Sequence, residues 1–492
     1  MPLKTYVTAA DFPEGLVTNQ EAIFSRPLTG IPQRPPVRKI RRPPSGVFRD
    51  WGIPEWFIVS QALLFAALFI PGVSVIRLLT KVAAFVSSLI ALWLVWKRGG
   101  LETRIRLFKP AKWLKWIIGM LLVMIFHPDT NSLVSGTAHC ILYISNYATA
   151  FWAIAALRYG MQYQRVFLIL FLINATSALV GIGQFYRPNT FLPPSIMVLE
   201  KEKDSLGSLI PYYTLEDGTK ILRPCGLSDT PGAASYSGAM AAIMGIIVMS
   251  SKLPLWQRLS GLALAIPGAT VIYLTQVRTA ILMIVVSLMA LVFVMILQRR
   301  WSTVIQITAA GFIVILGGFA WAAKEGGNSI IDRYFTLIDG SPSQVLLNSS
   351  RARMVENSLT QQIWDYPMGG GLGRYGQVYA YFGDRSYGDG LWCENQVSAW
   401  MIDGGIVMLI LGFGSVISAL RNSLNIARFC PDPMVRHWAA GVFALNFSLF
   451  FTCFGQMPFL TNTGQQFWLM AGLTYAADRW TRDQIRNARR IP

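Results

Sequence analysis

Long apolar runs recur along almost the whole chain after residue 55, and they constrain the fold more than any other feature of the sequence. Of the 492 residues, 53% are hydrophobic and only 14% are charged, and the mean hydropathy is +0.43. A soluble domain carries about 25% charged residues. So much apolar surface cannot be buried in one soluble core, and the sequence therefore predicts an all-α polytopic membrane protein.

We interpret the apolar runs as about twelve transmembrane helices, although several are shorter than the ~20 residues that a span usually needs. They lie near 57–71, 82–96, 114–126, 138–157, 166–185, 235–250, 259–275, 279–297, 302–321, 397–419, 438–455 and 464–477. The predicted divisions of the chain are a disordered, basic and Pro-rich tail (1–55), helices one to nine (56–321) with a long loop at 186–234, a large loop with short helices (322–396), helices ten to twelve (397–478) and a basic tail (479–492).

The basic residues set the predicted orientation. With the amino terminus in the cytoplasm, 29 Lys and Arg lie in inner segments and 14 in outer segments. Because cytoplasmic loops are enriched in Lys and Arg, both termini are predicted to be cytoplasmic and the large loop to lie outside. The net charge of +18 then reflects topology, so we expect membrane lipids as partners and no nucleic acid.

Arginines in the outer segments are the basic residues that topology does not explain. Arg278 lies in a tight turn between two apolar spans, where a guanidinium is costly unless it meets an anion such as phosphate. The alternative is an arginine that reaches lipid phosphate at the interface. Arg351 and Arg353 flank Ala352, so on a helix they point to different faces, and we expect only one to have a function.

Helical spacing of Met354, Val355, Leu359 and Ile363 predicts an amphipathic helix over 351–364, lying at the outer membrane surface. The turn that follows contains Gly369 and Gly371, whose backbone amides could cradle an anion. Glu394 then precedes the tenth span. It could act as a base, or it could cap that helix.

The cysteine and histidine residues allow two further predictions, a possible disulfide and an interfacial role for two histidines. Cys225 and Cys393 both lie in outer loops, where an oxidising compartment would permit a disulfide between them. His127 and His139 flank a predicted helix pair, and a lone histidine there is more often a satisfied interfacial residue than a catalyst.

Several of these residues together resemble a known family. They are Arg278 with Leu282, Arg351, Pro367-x-Gly369, Gly371-x-Gly373, and Glu394-Asn395 followed by Gly405. Their order, spacing and side of the membrane resemble the bacterial O-antigen ligase and O-antigen polymerase superfamily over about 220–410, and Arg223-Pro224-Cys225-Gly226-Leu227 resembles the family's approach to its sixth span. Val277 stands where the family has a serine, and Glu394 where it has a histidine.

The resemblance implies transfer of a glycan from an undecaprenyl-diphosphate carrier to a sugar hydroxyl at the outer face of the bacterial inner membrane. Its implied catalytic residues are Arg278, Arg351 and Glu394. Its implied binding residues, besides Arg278 and Arg351, are Arg353, Arg223, Gly369, Gly371 and Asn395. No cofactor or metal is implied, and the acceptor is a polysaccharide or lipid-linked glycan.

The missing histidine favours a polymerase over the alternative, an O-antigen ligase that transfers to lipid A-core. Outside this class, a secondary transporter of an anionic substrate and a scaffolding membrane protein are the rival interpretations. Transporters usually place charges or broken helices within two related halves of the membrane domain, and the sequence has no duplicated half.

Overall fold

The computed structural model describes residues 50–70, 77–193, 212–214, 220–327, 330–331, 334, 350–387 and 390–489, and residues 51–492 form one compact unit. A short antiparallel hairpin, β1 (Tyr212–Thr214) with β2 (Lys220–Leu222), accompanies the helices. The helices are α1 (Ile53–Ala66), α2 (Arg77–Lys97), α3 (Leu101–Leu107), α4 (Pro110–Met124), α5 (Leu133–Ala156), α6 (Gly160–Tyr186), α7 (Pro188–Phe191), α8 (Ala234–Met249), α9 (Leu255–Leu274), α10 (Arg278–Leu297), α11 (Trp301–Gly326), α12 (Ser350–Thr360), α13 (Gln362–Asp365), α14 (Gly376–Phe382), α15 (Gln396–Phe429), α16 (Pro433–Thr452) and α17 (Asn462–Arg489).

Each of the twelve predicted apolar segments falls on a helix, namely α1, α2, α4, α5, α6, α8, α9, α10, α11, α15, α16 and α17. Five of these helices, α2, α6, α10, α11 and α15, are long and apolar enough to cross a membrane. Helix α8, and α1 together with the 3-10 turn that follows it, are shorter apolar helices. The chain is therefore an α-helical membrane protein, and the number twelve stays a prediction.

Two predicted boundaries were wrong. Arg77 and Lys81 lie inside helix α2 rather than in a loop between the first two predicted spans, and both side chains pair with the buried carboxylate of Asp229. The helix predicted over 351–364 is two helices, α12 and α13, separated at Gln361. Helix α17 continues to Arg489, so the predicted basic tail is helical as far as that residue. Residues 1–49 of the predicted amino-terminal tail lie outside the described residues.

Exposed tryptophans lie at the ends of several helices. Trp96, Trp256 and Trp301 are all exposed, and each lies within two residues of a Lys or Arg. Trp, Lys and Arg at helix ends are typical of the interface between a bilayer and water. Because tryptophan is enriched at both faces of a bilayer, these residues mark an interface, and the orientation stays a prediction.

Small residues bring α8 and α9 into backbone contact. A Cβ atom at Gly238 would collide with the carbonyl of Gly268, and one at Gly245 with the carbonyl of Gly261. Close approach through small residues is a common way for membrane helices to associate, because dispersion contacts then replace the hydrophobic effect. The pair is a rigid support for the turn between α9 and α10 and for the start of α8, both of which reach the site described below.

Helix α15 is broken at Gly404 and Gly405, where the backbone leaves the helical conformation and Gly405 has a φ of +62°. The segment around Pro367 enters this break: the Ile406 amide donates to the Pro367 carbonyl at 3.1 Å, and the Gly370 amide donates to the Ile402 carbonyl at 2.7 Å. The loop therefore satisfies backbone groups that the break releases. It also fixes the position of the first two turns of α15 and of Glu394 before them.

Candidate functional site

A cavity of about 720 Å³ opens among the ends of several helices and the two long loops. Its lining includes apolar side chains of α1, α2 and α6, namely Phe57, Phe65, Phe85, Leu170 and Ile173, beside the polar Gln61, Lys81, Asn174 and Ser177 of the same helices. It also includes the charged wall, which we define as Arg223, Arg351 and Glu394. A cavity lined by both apolar and basic side chains suits an amphiphile with an anionic group.

Arg351 and Glu394 form an ion pair, with Arg351 Nε 3.2 Å from Glu394 Oε2. Arg351 lies in the first turn of α12, and Glu394 lies two residues before α15. Their side chains are 38% and 34% exposed, so both remain accessible from the cavity. An exposed ion pair of this kind contributes little to stability, and an anion that competes for Arg351 can replace Glu394.

Arg223 completes the charged wall. Burial lowers the pKa of its guanidinium, the neighbouring positive charge of Arg351 lowers it further, and the charge of Glu394 raises it. Gly232, at φ +77°, lies close against the Arg223 guanidinium, since a Cβ there would be 3.1 Å from Nη2. Two arginines side by side with one carboxylate leave an excess positive charge, which favours an anion in the cavity.

Asn395 caps helix α15. It is fully buried, and its Oδ1 accepts a hydrogen bond from the Ser398 amide at 2.8 Å. The alternative role of Glu394 as a helix cap is therefore wrong, because Asn395 occupies that position. Asn395 is not in the cavity lining, so its predicted contact with substrate has no support from the structure.

Arg353 and Arg278 do not line the cavity. Arg353 is exposed while Arg351, two residues earlier, faces the cavity, so of this pair only Arg351 meets the charged wall. Arg278 is the first residue of α10 and is half-buried. It adjoins Val277, which lines the cavity, and Thr279, whose hydroxyl lies 3.2 Å from that of Tyr236 in the lining.

The glycine-rich turn packs closely against the protein. A Cβ at Gly369 would collide with the backbone of Gly404, and one at Gly371 with the backbone of Asp129 and Thr130. Four of the turn's amide groups have acceptors in the protein: those of Gly369, Gly370, Leu372 and Gly373 donate to Tyr366 O, Ile402 O, Thr130 Oγ1 and His139 Nδ1. The positive φ values of these glycines therefore serve close packing. The predicted anion contact of the Gly371 amide stays a prediction.

A second ionic group, which was not predicted from the sequence, borders the cavity. Asp229, 1% exposed, pairs with both Arg77 and Lys81, the latter at 3.1 Å. Lys81 and Asp229 line the cavity. These three residues tie the start of α2 to the loop that carries Arg223. The sequence signal was the pair of basic residues, Arg77 and Lys81, just before the apolar run at 82–96. Both were assigned to the loop before this predicted span.

A buried polar cluster, the Asp403 cluster, was also not predicted from the sequence. It consists of His139, Tyr143, Tyr375 and Asp403. Asp403 is fully buried in α15, directly before the break, and its Oδ2 accepts hydrogen bonds from the hydroxyls of Tyr143 and Tyr375, each at 2.6 Å. His139 Nε2 lies 3.6 Å from the same oxygen. The signal was a single acid in a predicted span, since ionisable residues in membrane segments are rare and functional. His139 is thus part of a cluster rather than a lone interfacial residue.

The cysteines are all free thiols, so the disulfide between Cys225 and Cys393 is wrong. Cys225 is buried with its Sγ 3.7 Å from the Arg223 carbonyl, and Cys393 Sγ lies 3.8 Å from the sulfur of Met457. Burial raises the pKa of the Cys225 thiol to about 12. Burial, and then the charge of Asp403, raise the pKa of Cys393 as well.

Comparisons with the models of known protein families and with curated proteins find no match to this chain. Among the described residues, no group of three or more His, Cys, Asp or Glu side chains is placed to hold a metal ion. The function must therefore be inferred from the residues of the site itself. They form an amphiphilic cavity whose charged wall has two arginines and one accessible carboxylate.

Proposed function

We propose that this protein is an inverting glycosyltransferase that moves a glycan from an undecaprenyl-diphosphate carrier to a sugar hydroxyl. One observation carries the proposal: a single cavity is lined both by the charged wall and by apolar side chains of α1, α2 and α6. A prenyl diphosphate has matching parts, since its chain is apolar and its diphosphate is a strong anion. The resemblance of Arg278, Arg351 and Glu394 to family positions points to the same reaction.

The proposed reaction is a direct displacement. Arg351 and Arg223 bind the diphosphate, which takes Arg351 from Glu394 and frees the carboxylate. Glu394 then accepts the proton of the acceptor hydroxyl as its oxygen bonds to the anomeric carbon. The bond from that carbon to the diphosphate breaks, and the diphosphate leaves with the electron pair. The arginines stabilise the charge that develops on it, a role that a metal ion has in other transferases. Arg278, at the edge of the cavity, is proposed to assist.

We also propose that the chain crosses the bacterial inner membrane about twelve times, with both termini in the cytoplasm and residues 322–396 in the periplasm. The excess of basic residues in the inner segments supports it. A site on the outer side would meet lipid-linked glycans after they have crossed the membrane. Polymerisation of O-antigen or exopolysaccharide fits better than ligation to lipid A-core, because Glu394 replaces the histidine of ligases.

A secondary transporter of an anionic substrate is the second candidate, and one observation favours it. Helix α15 is broken next to a buried carboxylate, Asp403, and transporters bind substrate at such breaks. Transport would move the anion without breaking a bond. The two candidates therefore differ in whether the lipid-linked substrate is chemically changed.

The test uses the full-length protein in lipid nanodiscs with a purified undecaprenyl-diphosphate-linked repeat unit. A ladder of longer lipid-linked glycans is expected. Transfer only when lipid A-core is added would indicate a ligase. No turnover by a folded preparation, together with uptake of the substrate by proteoliposomes, would replace the enzyme with the transporter.

Variants of the charged wall test the residues. Arg351→Ala is expected to lower turnover by roughly 10²–10³-fold, the usual effect of removing one group that stabilises developing negative charge. Arg353→Ala is the matched control, because this arginine is exposed outside the lining, and it should remain near wild type. Glu394→Gln and Arg278→Ala should also lose turnover. Wild-type activity in Arg351→Ala or Glu394→Gln would refute the site.

A further inference from the structure

The segment 391–394, which leads from the large loop into α15, has two sides. Leu391 and Cys393 are partly buried against side chains at the start of α15. Trp392 and Glu394 alternate with them and remain accessible, since Trp392 is 70% exposed and the Glu394 side chain is 34% exposed. Both residues line the cavity. They therefore share the side of the segment that faces away from α15, and their Cα atoms are at most ~7 Å apart.

The connection between α16 and α17 lies beside Trp392. Cys393 Sγ is 3.8 Å from the sulfur of Met457, and the Gln396 amide donates to the Gln456 carbonyl at 2.8 Å. From this connection and the first turn of α17 the cavity lining receives residues with neutral polar side chains, all of them at least partly exposed: Gln456, Thr461, Asn462, Thr463 and Gln466. Amide and hydroxyl groups both donate and accept hydrogen bonds. This part of the lining therefore suits a neutral ligand with several hydroxyl groups.

An accessible tryptophan among such groups matches the two kinds of surface on a sugar. The face of a sugar ring presents C–H groups, and the face of an indole ring is apolar with a partial negative charge, so the two faces attract each other. The rim of the sugar presents hydroxyls, which the amides and hydroxyls of the lining can bind. A prenyl chain would need apolar neighbours around it, whereas Trp392 has Glu394 and neutral polar residues beside it.

We propose that Trp392 stacks against a sugar ring of the acceptor glycan and forms, with the neutral polar residues at the start of α17, an acceptor subsite next to Glu394. The identification of the ligand as the acceptor rests on the proposed function. Stacking fixes the plane of the ring, and Glu394, two residues along the chain, reaches a hydroxyl on its rim. Trp392 is a binding residue for the glycan, and the diphosphate is left to Arg223 and Arg351.

The test measures binding rather than turnover, with the full-length protein in nanodiscs and saturation-transfer NMR. The probes are the methyl glycosides of glucose, galactose, mannose, rhamnose and N-acetylglucosamine. We expect at least one of them to bind the wild type, with the strongest transfer to the ring C–H protons that meet the indole. Trp392→Ala should weaken that glycoside by roughly threefold to tenfold, the usual effect of losing one aromatic contact. Trp392→Phe should weaken it less, because a smaller ring remains.

Trp364→Ala is the matched control. Trp364 is 82% exposed in α13 of the same large loop and is not in the cavity lining, so its loss reproduces any general effect of removing an exposed tryptophan. Its glycoside affinity should equal that of the wild type. Farnesyl diphosphate is the second control, as a soluble prenyl diphosphate. It should bind Trp392→Ala as tightly as it binds the wild type.

Three results would overturn the proposal: no glycoside binds the wild type, Trp392→Ala binds it as tightly as the wild type does, or Trp364→Ala weakens it equally. Weaker farnesyl diphosphate binding by Trp392→Ala, with the glycoside unaffected, would assign the indole to the prenyl chain instead. Failure of the proposed function would look different, because the glycoside would still bind through Trp392 while the lipid-linked donor is not turned over.

Discussion

Two neighbouring residues, Glu394 and Asn395, have different roles that the fold separates. The buried side chain of Asn395 caps helix α15, and the accessible side chain of Glu394 pairs with Arg351 in the cavity. Polar residues before a helix often act as caps, so the sequence left both roles open for Glu394. The cap on Asn395 leaves the carboxylate of Glu394 available for chemistry.

Thiol chemistry tests the environment of the two loop cysteines. Because burial raises the pKa values of Cys225 and Cys393, the reactive thiolate is scarce in the folded protein. We expect both to react slowly with iodoacetamide at about pH 8, faster as the pH rises past the usual thiol range, and at the ordinary rate after denaturation. Peptide mass spectrometry follows the labelling.

The same residues test the predicted disulfide. With both thiols free, Cys393→Ser should migrate like the wild type on a non-reducing gel. A mobility difference that reductant abolishes would contradict the structure.

At the scale of the element, the break in α15 links the loop to the site. Its glycines let the backbone turn away from the helix, and the Pro367 carbonyl takes the place that a side chain at Gly405 would need. The break directly follows Asp403 and fixes the first two turns of α15, which Asn395 caps. Close approach of the two backbones accounts for the glycines at 369 and 405.

Gly405→Ala should therefore destabilise the protein. The residue would have to keep a φ of +62° and push back the Pro367 carbonyl, and a strained backbone of this kind costs about 1–3 kcal/mol. Gly119→Ala in α4 is the matched control, because no atom lies within 4 Å of its added Cβ. Alanine favours a helix over glycine by up to ~1 kcal/mol, so this control should be neutral or stabilising. Thermal unfolding in detergent compares them, and equal midpoints would argue against strain at Gly405.

For the whole molecule, the charged wall is assembled from distant parts of the chain. Arg223 comes from the loop before α8, Arg351 from α12, and Glu394 from the segment before α15, while α1, α2 and α6 supply apolar side chains of the lining. No local pattern contains this arrangement. If the loops lie on the outer side, the cavity opens there as well.

Cysteine accessibility tests that topology. In a variant with the five native cysteines replaced, Arg353→Cys should react with a membrane-impermeant maleimide on intact spheroplasts, because Arg353 is exposed in the large loop. Arg486→Cys, at the exposed end of α17, should react only after lysis. The reverse pattern would invert the orientation. Equal labelling before lysis would put both residues on one side of the membrane and make the number of spans between them even.

The sequence by itself determined the class of the protein and the positions of its helices, because apolar runs of this length can be satisfied only as helices in a membrane. It also pointed to Arg351 and Glu394, since an outer arginine and a carboxylate at a helix start stand out from an apolar background. Tertiary structure decided which polar residues meet. It paired Arg351 with Glu394, added Arg223 and turned Arg353 away. It also gathered Asp403, His139 and two tyrosines into one buried cluster, because side chains more than 230 residues apart come together only when the helices pack.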